Sequence, residues 1–139
     1  MGIMRLNMVK KSKKTNMIDY SHLLSLRTEI KSALKKSRTN MVRAALIKFF
    51  ELAFEQSWKI LKKVLMQDYS IETLGSKDTF REAAKLGLIQ NPENWFKFVE
   101  DRNETVHSYD QAVADEIISD LNDFIEELDY LIDKLQKLK

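Results

Sequence analysis

The sequence contains no cysteine, only three glycines and a single proline in 139 residues. Without cysteine the chain forms no disulfide, no cysteine-ligated zinc site and no iron–sulfur cluster, and it suits a reducing cytoplasm. The scarcity of glycine and proline argues against an all-β fold, because each hairpin needs turn residues. It is typical of a few long helices joined by short connections.

Long apolar runs are also missing. No stretch approaches the roughly 18 apolar residues that a membrane span requires, and residues 1–17 lack the apolar core and cleavage site of a secretory signal. With 44% hydrophobic and 32% charged residues, the chain has the composition of a globular domain. We therefore expect one cytoplasmic domain with no membrane association.

The charges are distributed unevenly, although the net charge is only +2. Up to Met66 there are 15 Lys and Arg against 4 Asp and Glu, whereas from Gln67 onward there are 8 against 17. Basic early helices packed beside an acidic last helix explain this, and a basic face for RNA or a partner is the alternative. The lysine-rich residues 1–17 are predicted to be a flexible basic tail, leaving 18–139 as the folded domain.

Hydrophobic periodicity predicts five helices. Their predicted bounds are Ser21–Ser37, Met41–Gln67, Lys77–Leu86, Pro92–Val106 and Asp110–Lys137. The second helix has the widest apolar face, rich in aromatic residues that include Phe49 and Trp58, and is predicted to form the centre of the core.

Short polar side chains and one glycine mark the predicted helix ends. Asn40, Ser76, Asn91 and Asp110 are the predicted N-caps. Gly87 occupies the position where a helix commonly ends in the left-handed conformation.

The last predicted helix carries two apolar stripes. One is a heptad seam, and beside it Ile118, Ile125 and Ile132 repeat every seven residues. Two adjacent stripes exceed what a two-helix seam requires. Either this helix lies deep in a bundle, or the second stripe contacts another subunit; we expect a homodimer.

A polar stretch between the last two long helices holds the candidate chemistry, an Arg-x4-His-x-Tyr cluster of Arg102, His107 and Tyr109. A guanidinium binds phosphate through two parallel donors, and an imidazole exchanges protons near neutral pH. Together they suffice for metal-free RNA cleavage, in which the ribose 2′-OH attacks the adjacent phosphorus. A phenol hydroxyl can donate, accept or be modified.

The spacing sets a condition on this cluster. On an ideal helix Arg102 and His107 lie about 140° apart, whereas Asn103 and His107 share a face. Arg102 and His107 can meet on one phosphate only if the helix ends or distorts between them, or if a second copy supplies one partner. Alternatively, both simply satisfy nearby carbonyls and acids. His22 has no partner motif and is predicted to be structural or exposed.

Other catalytic signals are absent from the sequence. There is no glycine-rich phosphate loop, no paired-histidine metal motif and no serine nucleophile elbow. The many acids of the last helix are interpreted as a solvated face. We therefore expect neither a metal site nor a cofactor.

Three runs of sequence, 49–62, 80–89 and 95–109, resemble the nucleotidyltransferase substrate-binding family of the HEPN group (higher eukaryote and prokaryote nucleotide-binding). The resemblance spans Ser21 to Lys137. It implies an all-α, up-and-down four-helix bundle with a short extra helix, usually a homodimer. It also implies a minimal nucleotidyltransferase as partner.

In related HEPN pairs the helical protein is a ribonuclease toxin and the nucleotidyltransferase its antitoxin. The resemblance then implies that Arg102 and His107 are catalytic and that Tyr109 accepts a nucleotide, whose phosphate would engage Arg102 and block RNA. Asn103 also matches the HEPN pattern. A non-catalytic subunit that binds substrate or nucleotide for the nucleotidyltransferase, and a plain helical interaction module, remain as alternatives.

Overall fold

The computed structural model describes residues 18–138, and within that range the chain is entirely helical. The six α-helices are α1 (Ser21–Leu34), α2 (Asn40–Tyr69), α3 (Gly75–Lys85), α4 (Pro92–Glu104), α5 (Gln111–Ser119) and α6 (Leu121–Lys137), with a 3₁₀ turn at Thr105–His107. The predicted all-α class is confirmed. The predicted basic tail, residues 1–17, lies outside the described residues.

The 30-residue helix α2 is the axis of the bundle. It packs against α1, α3, α4 and α5, while α6 closes the far side against α1 and α4. Helix α3 is the short extra element, and α5 with α6 together forms the last long arm. This is the predicted bundle, built from helices connected in chain order.

Aromatic rings contributed by four helices form the centre of the core. Trp95 is fully buried, stacks on Phe80 at a centroid distance of 4.7 Å, and meets Phe124 edge-on at 5.8 Å. Phe124 also meets Phe50 of α2 edge-on at 5.0 Å. Offset and edge-to-face pairs at such distances stabilise a core beyond the burial of their area.

Two aromatic residues predicted for the core centre lie at its edge instead. Phe49 and Trp58 are only partly buried, and the indole Nε1 of Trp58 donates to Glu55 Oε2 at 3.1 Å. The prediction was wrong here because a helix packed on several sides buries a broad face, and its flanking positions keep one edge exposed.

Local signals correctly located the N-caps of α4 and α5 and the glycine that ends α3. The side chains of Asn91 and Asp110 cap α4 and α5, accepting from the N–H groups of Glu93 and Ala112. Gly87 has φ +73°, and the chain closes α3 with a Leu88 N–H···O=C Ala83 bond of 3.0 Å.

Two predicted caps were wrong, one by one residue and the other by two. Helix α2 is capped by Thr39, whose Oγ1 accepts from the Val42 N–H at 3.1 Å, and Asn40 is already helical. Helix α3 starts at Gly75 rather than after Ser76, so its N-cap is Leu74. The Leu74 N–H donates to Asp78 Oδ2 at 2.9 Å.

The last predicted helix is broken at Asp120 rather than continuous. The Asp120 N–H bonds to the Ile117 carbonyl at 3.0 Å, which tightens the backbone between α5 and α6. Ile118, Ile125 and Ile132 are all buried within the protomer. The bundle itself therefore covers the second stripe, and the predicted homodimer no longer draws support from it.

Ion pairs join the basic first half of the sequence to the acidic second half. Arg27 and Lys31 of α1 both pair with Asp129 of α6, and Arg43 of α2 pairs with Asp115 of α5 at 2.9 Å. The basic early helices thus lie beside the acidic last ones. Over residues 18–138, none of the helices combines the length and apolar character needed to cross a membrane.

Candidate functional site

The candidate site is built where α4 stops. Helix α4 ends at Glu104, two residues before the predicted end, and the 3₁₀ turn and a short connection lead into α5. Arg102 therefore lies in the last turn of α4, His107 closes the 3₁₀ turn, and Tyr109 precedes the cap of α5. The helix ends between the arginine and the histidine, which is one of the conditions set by their spacing.

Arg102 is held from two sides. Its Nη1 donates to Thr105 Oγ1 at 3.0 Å, and that hydroxyl donates to the Arg102 carbonyl at 2.7 Å. Its Nε lies 3.6 Å from Glu55 Oε1 of α2, with both side chains about one-third exposed. Within residues 18–138 no hydrogen bond uses Nη2, so this edge of the fork is available to an anion.

His107 and Tyr109 form the exposed half of the site. Their rings lie 6.3 Å apart, nearly edge-on, and Tyr109 is 85% exposed. In the part of the chain that the structure describes, no hydrogen bond or ion pair joins Arg102 to His107. One protomer thus brings His107 and Tyr109 together and places Arg102 against α2.

The other predicted polar residues are exposed. Asn103 lies on the solvent side of α4, and the break after Glu104 removes the shared helical face expected for Asn103 and His107. His22 is exposed on α1, as one of its two interpretations predicted. Across residues 18–138, no group of three His, Cys, Asp or Glu side chains could hold a metal ion.

A groove beside Tyr109 was not predicted. It runs between α2 and the connection into α5, has a volume of about 600 Å³, and is lined by Arg43 and Lys48 of α2 together with Ser108 and Tyr109. Sequence reasoning missed three further functional candidates, Glu55, Arg43 and Lys48. They lie far from residues 102–109 in the sequence and come near them only through the packing of α2.

A carboxyl pair lies behind Arg102. Asp101 is buried on α4, and burial, together with a hydrogen bond to Asp120 and the negative charge of Asp120, raises the pKa of Asp101 to about 8. Lys97 opposes this shift and pairs with Asp120 at 3.0 Å. Asp101 is therefore protonated at neutral pH.

The fold and this site define a class of helical proteins that carry Arg-x4-His-x-Tyr at the end of a bundle helix. The family model described as nucleotidyltransferase substrate binding protein like matches residues 15–137. The chain belongs to this family.

Individual relatives agree with the assignment. The chain is 36% identical over 98 residues, which are 68% of this chain and 67% of the relative, to a protein of Haemophilus influenzae named "Probable ribonuclease HepT". A solved structure from Haemophilus influenzae, described as the fold of a substrate binding domain of a nucleotidyltransferase, has a TM-score of 0.77 at 27% identity, covering 85% of this chain and 99% of that one. A solved structure from Thermus thermophilus has a TM-score of 0.76 at 26% identity, covering 81% of this chain and 98% of that one.

Proposed function

We propose that this protein is a metal-independent endoribonuclease of the HEPN type, the toxin of a pair whose second member is a minimal nucleotidyltransferase. The observation that carries the proposal is the helix end between Arg102 and His107, which leaves a guanidinium edge and an exposed imidazole at one end of the bundle. Similarity to a protein named as a probable ribonuclease supports it.

The proposed reaction is a transesterification within the RNA chain. The ribose 2′-oxygen forms a bond to the adjacent phosphorus, the bond from phosphorus to the 5′-oxygen breaks, and the products carry a 2′,3′-cyclic phosphate and a 5′-hydroxyl. His107 moves the proton between the 2′-oxygen and the 5′-oxygen. Arg102 binds the phosphate and stabilises the charge that develops on its oxygens.

A homodimer would complete the site. Within the described chain Arg102 and His107 make no direct contact, and Val106 and Tyr109, beside His107, are strongly exposed at 67% and 85%. Two clusters facing each other across an axis would let the arginine of one copy and the histidine of the other bind one phosphodiester. We place this dimer in the cytoplasm, where its RNA substrate is found.

Tyr109 is the proposed switch. Its exposed hydroxyl would attack the α-phosphorus of a nucleoside triphosphate held by the nucleotidyltransferase. A bond forms between the phenolic oxygen and phosphorus, pyrophosphate leaves, and the phenolic proton passes to solvent. The attached nucleotide would lie beside His107 and block RNA, and we propose that Asn103, on the exposed end of α4, contacts it.

A cleavage assay in EDTA tests the proposal. The purified protein should cleave RNA without metal, and His107→Ala should abolish cleavage while the circular dichroism spectrum stays unchanged. His22→Ala is the matched control, since it removes the other histidine of the chain from an exposed position on α1. RNA left equally intact by the wild type and by His107→Ala would contradict the catalytic role.

A second candidate is a non-catalytic subunit that binds substrate for the nucleotidyltransferase. One solved relative is described as showing the fold of a substrate binding domain of a nucleotidyltransferase. In that case the protein would form a stable complex with the nucleotidyltransferase and bind RNA or nucleotide without cleaving it. A pull-down followed by the same EDTA assay separates the two functions.

A further inference from the structure

The groove between α2 and the connection into α5 has no role in the proposed RNA cleavage. It opens beside the Tyr109 side chain, and its volume of about 600 Å³ is within the usual range of small-ligand sites. We propose that this groove seats the nucleotidyl group carried by Tyr109, with Arg43 and Lys48 binding its phosphate. This inference rests on the proposed modification of Tyr109.

Arg43 is oriented before any ligand arrives. Its Nε donates to Asp115 Oδ1 at 2.9 Å and its Nη1 to Asn40 Oδ1 at 3.4 Å, and the side chain is only 20% exposed. A guanidinium carries five N–H donors, so the Nη2 donors remain for an anion. Because the two acceptors fix the plane of the fork, little conformational entropy is lost when phosphate binds.

Lys48 supplies an unpaired cation in the same wall. It lies five residues after Arg43 on α2, about 140° further around the helix axis, so the two side chains line the groove from different sides of that helix. Lys48 is exposed and has no hydrogen bond or ion pair within the described range 18–138. An ammonium group with no acidic partner can bind a phosphate without first breaking an ion pair. Arg43 and Lys48 thus provide two positive charges beside one exposed phenol.

Acids on α2 separate this groove from Arg102. Glu51 lines the groove one turn after Lys48, and Glu55, a further turn along, pairs with Arg102. About 10 Å of helix axis separates Lys48 from Glu55. These carboxylates disfavour a phosphate at their end of the groove and favour the end of Arg43 and Lys48. Glu51 is also placed to accept a hydrogen bond from a ribose hydroxyl.

This nucleotide site changes the way in which modification of Tyr109 is expected to inhibit RNA cleavage. Arg102 does not line the groove, whereas Tyr109 does. A phosphate attached to Tyr109 is therefore bound by α2 rather than by the arginine of the catalytic pair. The groove holds the nucleotide beside Ser108 and Tyr109, the residues that follow His107, at the high effective concentration that covalent attachment provides.

The test measures how firmly the attached nucleotide is held. The protein is co-expressed with its nucleotidyltransferase, purified in the modified form confirmed by intact mass, and exposed to a phosphodiesterase. The nucleotide should be removed about tenfold faster from Lys48→Gln and from Arg43→Gln than from the wild type, since each loses a charge-assisted hydrogen bond. Lys63→Gln, an exposed lysine of α2 outside the groove, should match the wild type.

A second control separates binding from folding. Asp115→Asn removes the ion-pair partner of Arg43 but keeps the guanidinium. The proposed nucleotide site would be overturned if the nucleotide were removed as fast from Asp115→Asn as from Arg43→Gln. It would also be overturned if both groove variants lost the nucleotide at the wild-type rate. Either result would leave the modification of Tyr109 intact. A wild type with no added mass would overturn the modification and the nucleotide site together.

Two further outcomes assign the groove to other ligands and also overturn the proposal. If the unmodified Arg43→Gln and Lys48→Gln proteins bind RNA more weakly, while their modified forms lose the nucleotide at the wild-type rate, the groove is part of the RNA-binding surface. Variants that lose both modification and the complex would make it a docking site for the nucleotidyltransferase. Variants that form the complex but are not modified would support the nucleotide site.

Discussion

Arg102 Nε of α4 lies 3.6 Å from Glu55 Oε1 of α2, so the proposed phosphate-binding side chain is already paired with an acid in the free protein. Glu55 is itself oriented by the indole of Trp58, which donates to its second oxygen at 3.1 Å. An RNA phosphate must therefore compete with this carboxylate for the guanidinium. The pair orients Arg102 and at the same time weakens its attraction for RNA.

Glu55→Gln should strengthen RNA binding by about two- to fivefold, because a partly exposed ion pair is worth no more than about 1 kcal/mol. The measurement is the dissociation constant for a short RNA with His107→Ala in both proteins, so that no cleavage intervenes. Glu29→Gln on α1 makes the same change in net charge at an exposed site. Equal tightening by both substitutions would show a general charge effect and contradict the competition.

Trp95 and Trp58 should differ sharply in their contribution to stability. Trp95 is fully buried among Phe80, Phe98 and Phe124, so Trp95→Ala should lower the free energy of unfolding by about 3–5 kcal/mol. Trp58 lies at the edge of the core, and Trp58→Ala should cost about 1 kcal/mol. Urea unfolding measures both, and similar losses would contradict the described core.

The carboxyl pair of Asp101 and Asp120 predicts a pH dependence of stability. The pKa of Asp101 rises from 3.8 to about 8 in the folded protein, chiefly because the carboxyl is buried. Between these values the folded chain binds one proton more than the unfolded chain at this site. Its contribution to stability is therefore complete below pH 3.8 and is lost as the pH rises through about 8.

Asp101→Asn resembles the protonated carboxyl and should remove this dependence. At about pH 8 the variant should gain about 1–3 kcal/mol over the wild type, and at about pH 5 the gain should be smaller. Urea unfolding across this pH range gives the difference between the two proteins. Asp133→Asn, an exposed acid of α6, is the control, and a difference that does not change with pH would contradict the raised pKa of Asp101.

Local sequence signals predicted the helical class and several helix ends, because these depend on neighbours in the chain. Asn91 and Asp110 act as caps through their own first turns, and Gly87 takes a conformation that other residues adopt at a cost. The contact between Glu55 and Arg102 could not be predicted, since it depends on how α2 and α4 pack.

The break at Asp120 escaped prediction for a similar reason. The heptad seam continues through this position, so periodicity alone predicts one helix. In the structure the carboxylate of Asp120 pairs with Lys97 of α4 and faces Asp101, two contacts that come from a distant part of the sequence. The groove beside Tyr109 likewise exists only once α2 packs beside the connection into α5.

The most direct test of the proposed ribonuclease is the chemistry of the RNA ends produced by the purified protein in EDTA. Attack by the ribose 2′-oxygen, assisted by His107 and Arg102, predicts fragments with a 2′,3′-cyclic phosphate and a 5′-hydroxyl, and none from His107→Ala. Fragments with a 3′-hydroxyl and a 5′-phosphate, or equal cleavage by the wild type and His107→Ala, would contradict the account.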